Sequence, residues 1–130
     1  MQTLDTLTEQ QAREAPAGTK TDALVAEALG LDVRRIGNLA LVWSNHYGCL
    51  VPPDRYTTER DAAGEATDWL IPLTSGRIII EHDNNEPAEY LWAVSYRPGG
   101  ARTSVHAPAE PLARCRAVLL AAVIRREQKK

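Results

Sequence analysis

Phenylalanine is absent from this 130-residue chain, and three Trp and four Tyr make up its aromatic complement, 5% of the residues. The three Trp and four Tyr must therefore supply most of the bulky surface, which makes them the residues to track. Cysteine is almost missing as well: Cys49 and Cys115 stand alone, with no CxxC and no Cys/His cluster. Two lone thiols build neither a disulfide framework nor a zinc site, and they point to a reducing, cytoplasmic setting. Long apolar runs are lacking too. The longest, Ala117 to Ile124, falls far short of the ~20 residues of a membrane span. The first residues hold no apolar stretch leading to a small-residue cleavage site, so neither a secretory signal nor a membrane role is expected. The last absence is an excess of one charge. Fifteen Lys and Arg against seventeen Asp and Glu leave a net charge of -2, which argues against bulk attraction to long nucleic acid.

What remains is an ordinary globular composition, 44% hydrophobic and 25% charged, at a length that suits one domain. Residues 1–20 read as a polar, flexible N-terminal arm with at most a helical turn before the Ala15-Pro16-Ala17-Gly18 break. A short helix follows from Asp22, with Leu24, Ala28 and Leu31 on one face and Gly30 as its stop. Leu39, Leu41 and Trp43 alternate with Ala40 and Val42, the Ser44–Gly48 stretch supplies turn chemistry, and Cys49–Val51 returns, which predicts a hairpin closed by Pro52-Pro53. Ala62, Ala66, Trp69 and Leu70 then recur at helical spacing, with Thr58 and Asp61 resembling a capping box and Pro72 as terminator.

The second half is strand-rich. Arg77 to His82 is short and β-branched, and the Asp83–Pro87 stretch is a turn. Tyr90 to Arg97 places Tyr90, Trp92, Val94 and Tyr96 on one face. After the Pro98-Gly99-Gly100 turn, Ala101 to Ala107 pairs back on it as a hairpin. Pro111 sits at a helix start, and Leu112, Cys115, Leu119 and Val123 recur at helical spacing towards a basic tail over 127–130. The expected fold is α+β, ordered α-β-β-α-β-β-β-α: a mostly antiparallel sheet of about five strands with three helices packed on it.

Three segments carry a resemblance: Asp22-Ala-Leu-Val-Ala-Glu-Ala-Leu-Gly-Leu, Tyr56-Thr-Thr-Glu-Arg-Asp-Ala-Ala, and Ala109-Glu-Pro-Leu-Ala-Arg-Cys-Arg-Ala-Val-Leu-Leu-Ala. With the hairpin containing Trp92, they make the chain from about Thr21 to Val123 resemble the bacteriophage ABA sandwich domain, within a domain spanning 21–126. In that family an aromatic before the second helix is followed by Ser or Thr and an Asp, the places held here by Tyr56, Thr57 or Thr58, and Asp61. The resemblance implies phage or prophage origin, and hence a host-cell cytoplasmic location, and says far more about fold than about activity.

No catalytic motif accompanies it. His46, His82 and His106 lie in separate elements without HxH or HExxH spacing, so no metal site is expected. Cys115 falls on the apolar face of the last helix and reads as a buried structural thiol. Trp69 and Trp92 read as core bulk, with Trp43 packing as well. Loop-proximal aromatics, arginines and hydroxyls remain: Tyr47, Arg55, Tyr56, Thr57, Thr58, Tyr96, Arg97, Arg102 and His106. Such groups can stack a planar ligand and hold its phosphate. The expectation is a non-enzymatic phage accessory protein, without cofactor, that sequesters a small anionic ligand such as a cyclic nucleotide of antiphage defence. Tyr47 and Tyr56 would stack it, and Arg97 and Arg102 would pair with phosphate. The alternative is a protein-interaction module that inhibits a host protein or serves phage assembly, with a hydrophobic sheet face or the last helix as a homo-oligomer interface.

Overall fold

The last helix organises everything else. In the computed structural model, which describes residues 3–74, 77–97 and 102–128, Glu110–Gln128 forms α4, and Leu112, Cys115, Leu119 and Val123 are all buried, as their spacing predicts. Ala113, Ala117, Val118, Leu120 and Ala121 are buried too. A helix buried on so wide a front must be covered from several sides. Around it pack α1 (Glu9–Arg13), α2 (Thr19–Ala28) and α3 (Arg60–Leu70), together with strands β5 (Trp92–Tyr96) and β6 (Thr103–Ala107). Helix α3 presents Ala62, Ala63 and Ala66, whose small side chains let the two helices approach closely, while Leu70 closes its end of the interface.

The α+β class holds, but the strands form two separate three-stranded antiparallel sheets. The first contains β1 (Val33–Ile36), β2 (Leu39–Ser44) and β3 (Cys49–Val51) in sequence order. Gly37-Asn38 joins β1 to β2, and Gly37 supplies the positive φ, 62°, that a two-residue hairpin turn requires. The second contains β4 (Ile79–His82), β5 and β6. Its inner face is the row Ile80–Val94–Val105, flanked by Trp92 and Tyr96, against α4. The turn over Pro98–Ala101 lies outside the described residues, but Tyr96 pairs with Thr103 as the hairpin reading requires.

Several expectations change. Val33–Ile36 is a strand that the sequence pattern does not predict. Tyr90 belongs to a 3-10 turn, Ala88–Tyr90, ahead of β5. Leu31 lies beyond α2 and is 44% exposed. Helix α3 is capped by Glu59 without a side-chain bond, so Thr58 forms no capping box. The helix α4 continues through Gln128, into the expected tail.

The N-terminal arm is the largest correction, because it is part of the packed structure. Leu7, Ala12 and Ala15 are buried, Thr8 and Gln11 form a reciprocal capping box at the start of α1, and arginines from α4 hold the backbone. Arg126 donates to the carbonyls of Leu4 (2.8 Å) and Leu7 (2.7 Å), and Arg116 donates to those of Ala15 (2.9 Å) and His106 (2.7 Å). Arg13 adds a bond to the Ser104 carbonyl at 2.9 Å. The outward carbonyls of β6 are thus satisfied by guanidinium groups, which blocks pairing with another strand along that edge.

Candidate functional site

Of the nine residues expected to bind a ligand, Tyr56, Thr57 and Tyr96 are buried in the core. Tyr56 and Thr57 follow Pro52-Pro53 on the loop into α3, and both are 2% exposed. The Tyr56 phenol is pushed up to about 12, first by burial and then by the Asp54 carboxylate. Neither face of its ring is open for stacking. Thr57 ties the loop to α2: its amide N–H (2.9 Å) and its hydroxyl (2.7 Å) both donate to Asp22 Oδ1, and its Oγ1 accepts the Gly18 N–H at 3.0 Å. Burial raises the Asp22 carboxyl above its ordinary range, while these Thr57 bonds and the Arg55 charge pull the other way. Arg55 and Thr58, on either side, are exposed.

Tyr96 is also core. It is fully buried, and its hydroxyl donates to the Ala117 carbonyl of α4 at 2.8 Å. Burial raises the phenol well above its usual range. Arg97 and Arg102 are exposed at the far end of the second sheet, where the Thr74 hydroxyl accepts from the Arg97 N–H (2.9 Å) and donates to the Arg97 carbonyl (3.0 Å). His106 lies four residues beyond Arg102, about 13 Å along the strand. Tyr47, 73% exposed, belongs to the first sheet, edge-on to His46. Among the described residues, no side-chain hydrogen bond, ion pair or ring contact joins Tyr47, Arg55, Arg97 and Arg102 to one another.

His106 has unfavourable company for an anion. It faces outward in the row Glu81–Ala93–His106, with Tyr90 edge-on at 5.3 Å. The small Ala93 leaves a hollow of about 370 Å³ there, which Glu81, Asp83 and Glu86 also line. Three carboxylates repel phosphate. Among the described residues no group of His, Cys, Asp and Glu is arranged to hold a metal. His82 is on the opposite face, against Trp92 at 4.5 Å, so it does not neighbour His106.

Two surfaces the sequence did not single out are better formed. The outer face of the first sheet carries Ile36, Leu39, Leu41, Trp43 and Leu50, brought into register by the pairs Ile36–Leu39 and Trp43–Leu50. Ile36 is 57% exposed, Leu39 63% and Trp43 37%. Trp43 is therefore a surface residue, contrary to its expected packing: Arg34 lies over its ring at 5.4 Å and its indole N–H donates to Asn45 at 3.1 Å. The second is a groove of about 870 Å³ between α1, the first turn of α2 and the β1–β2 hairpin. By contrast the apolar residues of α4 are mostly buried against its own chain among the described residues. No helix among the described residues is long and apolar enough to cross a membrane.

No family model matches the chain, and no curated protein sequence matches it. Among solved structures, the chain is similar in fold to a phage protein from Bacillus cereus ATCC 14579, with a TM-score of 0.57 and 11% identity over 89% of this chain and 88% of that one. At that identity the likeness establishes a shared architecture across nearly the whole of both chains.

Proposed function

We propose that this is a phage accessory protein of the ABA sandwich type that works by binding a protein, through the outer face of its first sheet. The observation that carries the reading is the cluster of Ile36, Leu39 and Trp43 exposed together on that face. Side chains of this size left to water in one patch mark association surfaces. The phage assignment is supported by the architecture shared with the Bacillus cereus phage protein and by the three segments that resemble the ABA sandwich family. The occupant we assign is a second copy of this chain. Asp32 and Arg34, paired with each other at 3.1 Å and both about half exposed, stand at the rim of the patch, so a twofold arrangement sets this pair of opposite charges against the same pair of the other copy. A cyclic nucleotide sponge, as the sequence suggests, has less support, since Tyr56 and Tyr96 are shut in the core.

Sedimentation velocity on the wild-type chain and on Leu39→Glu tests the proposal. Leu39 is too exposed for the substitution to disturb folding. A concentration-dependent dimer that Leu39→Glu converts to monomer supports it. A wild-type monomer throughout the micromolar range, or a dimer indifferent to the substitution, overturns it.

A further inference from the structure

The groove beside α2 has a built polar end that the proposed association does not use. Its N-cap is Gly18, whose backbone adopts a φ of 138° and which has no side chain to offer the helix. A Cβ placed on Gly18 would meet no atom within 4 Å. The Gly18 N–H is taken by Thr57, and the first bond of the helix runs from the Asp22 N–H to the Gly18 carbonyl at 2.9 Å. The N–H groups of Thr19, Lys20 and Thr21 have no partner among the described residues. These three residues all line the groove.

An independent observation lies in the Thr21 side chain. Thr21 is only 3% exposed, yet its hydroxyl has no hydrogen-bond partner among the described residues. Among the described residues no side-chain polar atom fully sealed from solvent lacks a partner, so this hydroxyl keeps some exposure, and the groove is the open space that Thr21 lines. A hydroxyl held in a nearly buried residue with nothing to bond is a group waiting for a donor or acceptor. Lys20 is in no ion pair among the described residues. The other charges along the groove are engaged: Arg35 pairs with Glu27, and Glu14 accepts from Gln10 at 2.6 Å and faces the Arg116 charge. Lys20 and the positive pole of α2 therefore leave this end short of one negative charge.

Leu7, Leu24 and Ala40 make an aliphatic stretch of the wall beside the polar Gln11, Glu14 and Asn38, and no Trp or Tyr lines the groove. A nucleobase would find no ring to stack on. The volume of about 870 Å³ falls within the range of small-molecule sites, about 300–1,000 Å³. The geometry points to a binding site for a small aliphatic monocarboxylate, its head group on the first turn of α2 with Lys20 and the Thr21 hydroxyl, its chain along Leu7, Leu24 and Ala40.

Calorimetric titration of the full chain with decanoate, kept below its micelle concentration, tests this, with decanol and adenosine monophosphate as comparison probes. Saturable one-to-one binding of decanoate is expected, with decanol and the nucleotide at least tenfold weaker. Lys20→Ala should weaken decanoate about fivefold, and the near-isosteric Thr21→Val should do so with an unchanged circular dichroism spectrum. Amide chemical-shift changes should centre on Thr19–Asp22 and Ala40. Absence of saturable binding, equal affinity for decanol, insensitivity to Lys20→Ala, nucleotide binding as tight as decanoate, or shift changes elsewhere would each overturn the assignment. Leu39 borders both the groove and the association face; shift changes at Thr19–Asp22, the polar end, separate decanoate binding from dimerisation.

Discussion

Replacing Thr57 by Val swaps a hydroxyl for a methyl and should cost about as much stability as a typical core truncation. The Thr57 hydroxyl donates to Asp22 Oδ1 at 2.7 Å and accepts from the Gly18 N–H at 3.0 Å, in a residue 2% exposed. The bond to the carboxylate is charge-assisted and contributes about 1.5–3 kcal/mol, and a buried N–H left without a partner costs about 1–3 kcal/mol. Valine matches the shape of threonine but offers neither donor nor acceptor, and the lost bond also worsens the position of a carboxylate already disfavoured by burial. Together these give a loss of about 3 kcal/mol, a large share of the roughly 5–15 kcal/mol that separates most folded domains from their unfolded chains. Urea denaturation followed by Trp fluorescence is the assay, because the transition midpoint reads the change directly when the slope is unaltered. Thr57→Ser is the control: it keeps the oxygen, gives up one methyl, and should cost about 1 kcal/mol. A Thr57→Val protein within about 0.5 kcal/mol of wild type, a difference typical of exposed positions, would refute the reasoning. So would a Ser variant as unstable as the Val variant, since the methyl and not the hydroxyl would then matter.

Three further outcomes follow from the same geometry. Asp22 has a raised folded-state pKa, so the native chain holds its proton more tightly than the unfolded one; stability should fall as pH rises from the ordinary carboxylate range through the raised value, then level off. Asp22→Asn keeps an oxygen to accept both Thr57 bonds and cannot ionise, so its urea midpoints between about pH 4 and pH 7 should lack that decline. Arg126→Ala should release the N-terminal segment, costing about 1–2 kcal/mol after solvent screening and speeding amide exchange over Leu4–Ala12. Arg126→Lys should rescue little, since one ammonium cannot span the carbonyls of Leu4 and Leu7 as the guanidinium does. Native protein treated with a thiol-reactive disulfide should label at exposed Cys49 and spare Cys115, which is buried with its thiol pushed far up by desolvation, and denaturant should expose the second thiol.

Local pattern carried the fold where a face of an element is uniformly apolar. The spacing of Leu112, Cys115, Leu119 and Val123 located α4 and its buried side, and alternation located β2, β5 and β6. Strand β1 escaped because Arg34-Arg35 interrupts the alternation, one arginine lying over Trp43 and the other pairing with Glu27. The arm was misread because few of its residues are apolar: its anchors are three buried side chains and backbone carbonyls gripped by Arg116 and Arg126. Such bonds leave no trace in a local window. The site was less legible still. In a chain without phenylalanine, the aromatics that fill the core are Tyr56 and Tyr96, whereas Trp69 and Trp92 are partly buried at its border and Trp43 lies outside. Period-two alternation placed Trp43 on a face with Leu39 and Leu41, but which face meets water depends on where α2 packs. Gly18 read as a break between segments, and only the fold shows that it begins a helix whose first turn lines a groove.

The central position of α4 also orders events in time. Every other helix and the inner strands of the second sheet rest on an element that leaves the ribosome after all of them. At roughly 5–20 residues per second, the earlier segments wait several seconds without the helix on which α1, α3 and the second sheet pack. Loop closures spanning 101 to 122 positions, those from Arg116 to Ala15 and from Arg126 to Leu7 and Leu4, must then form together. Nascent chains stalled before Glu110 should accordingly remain open to protease along their length, and compaction should arrive in a single late step.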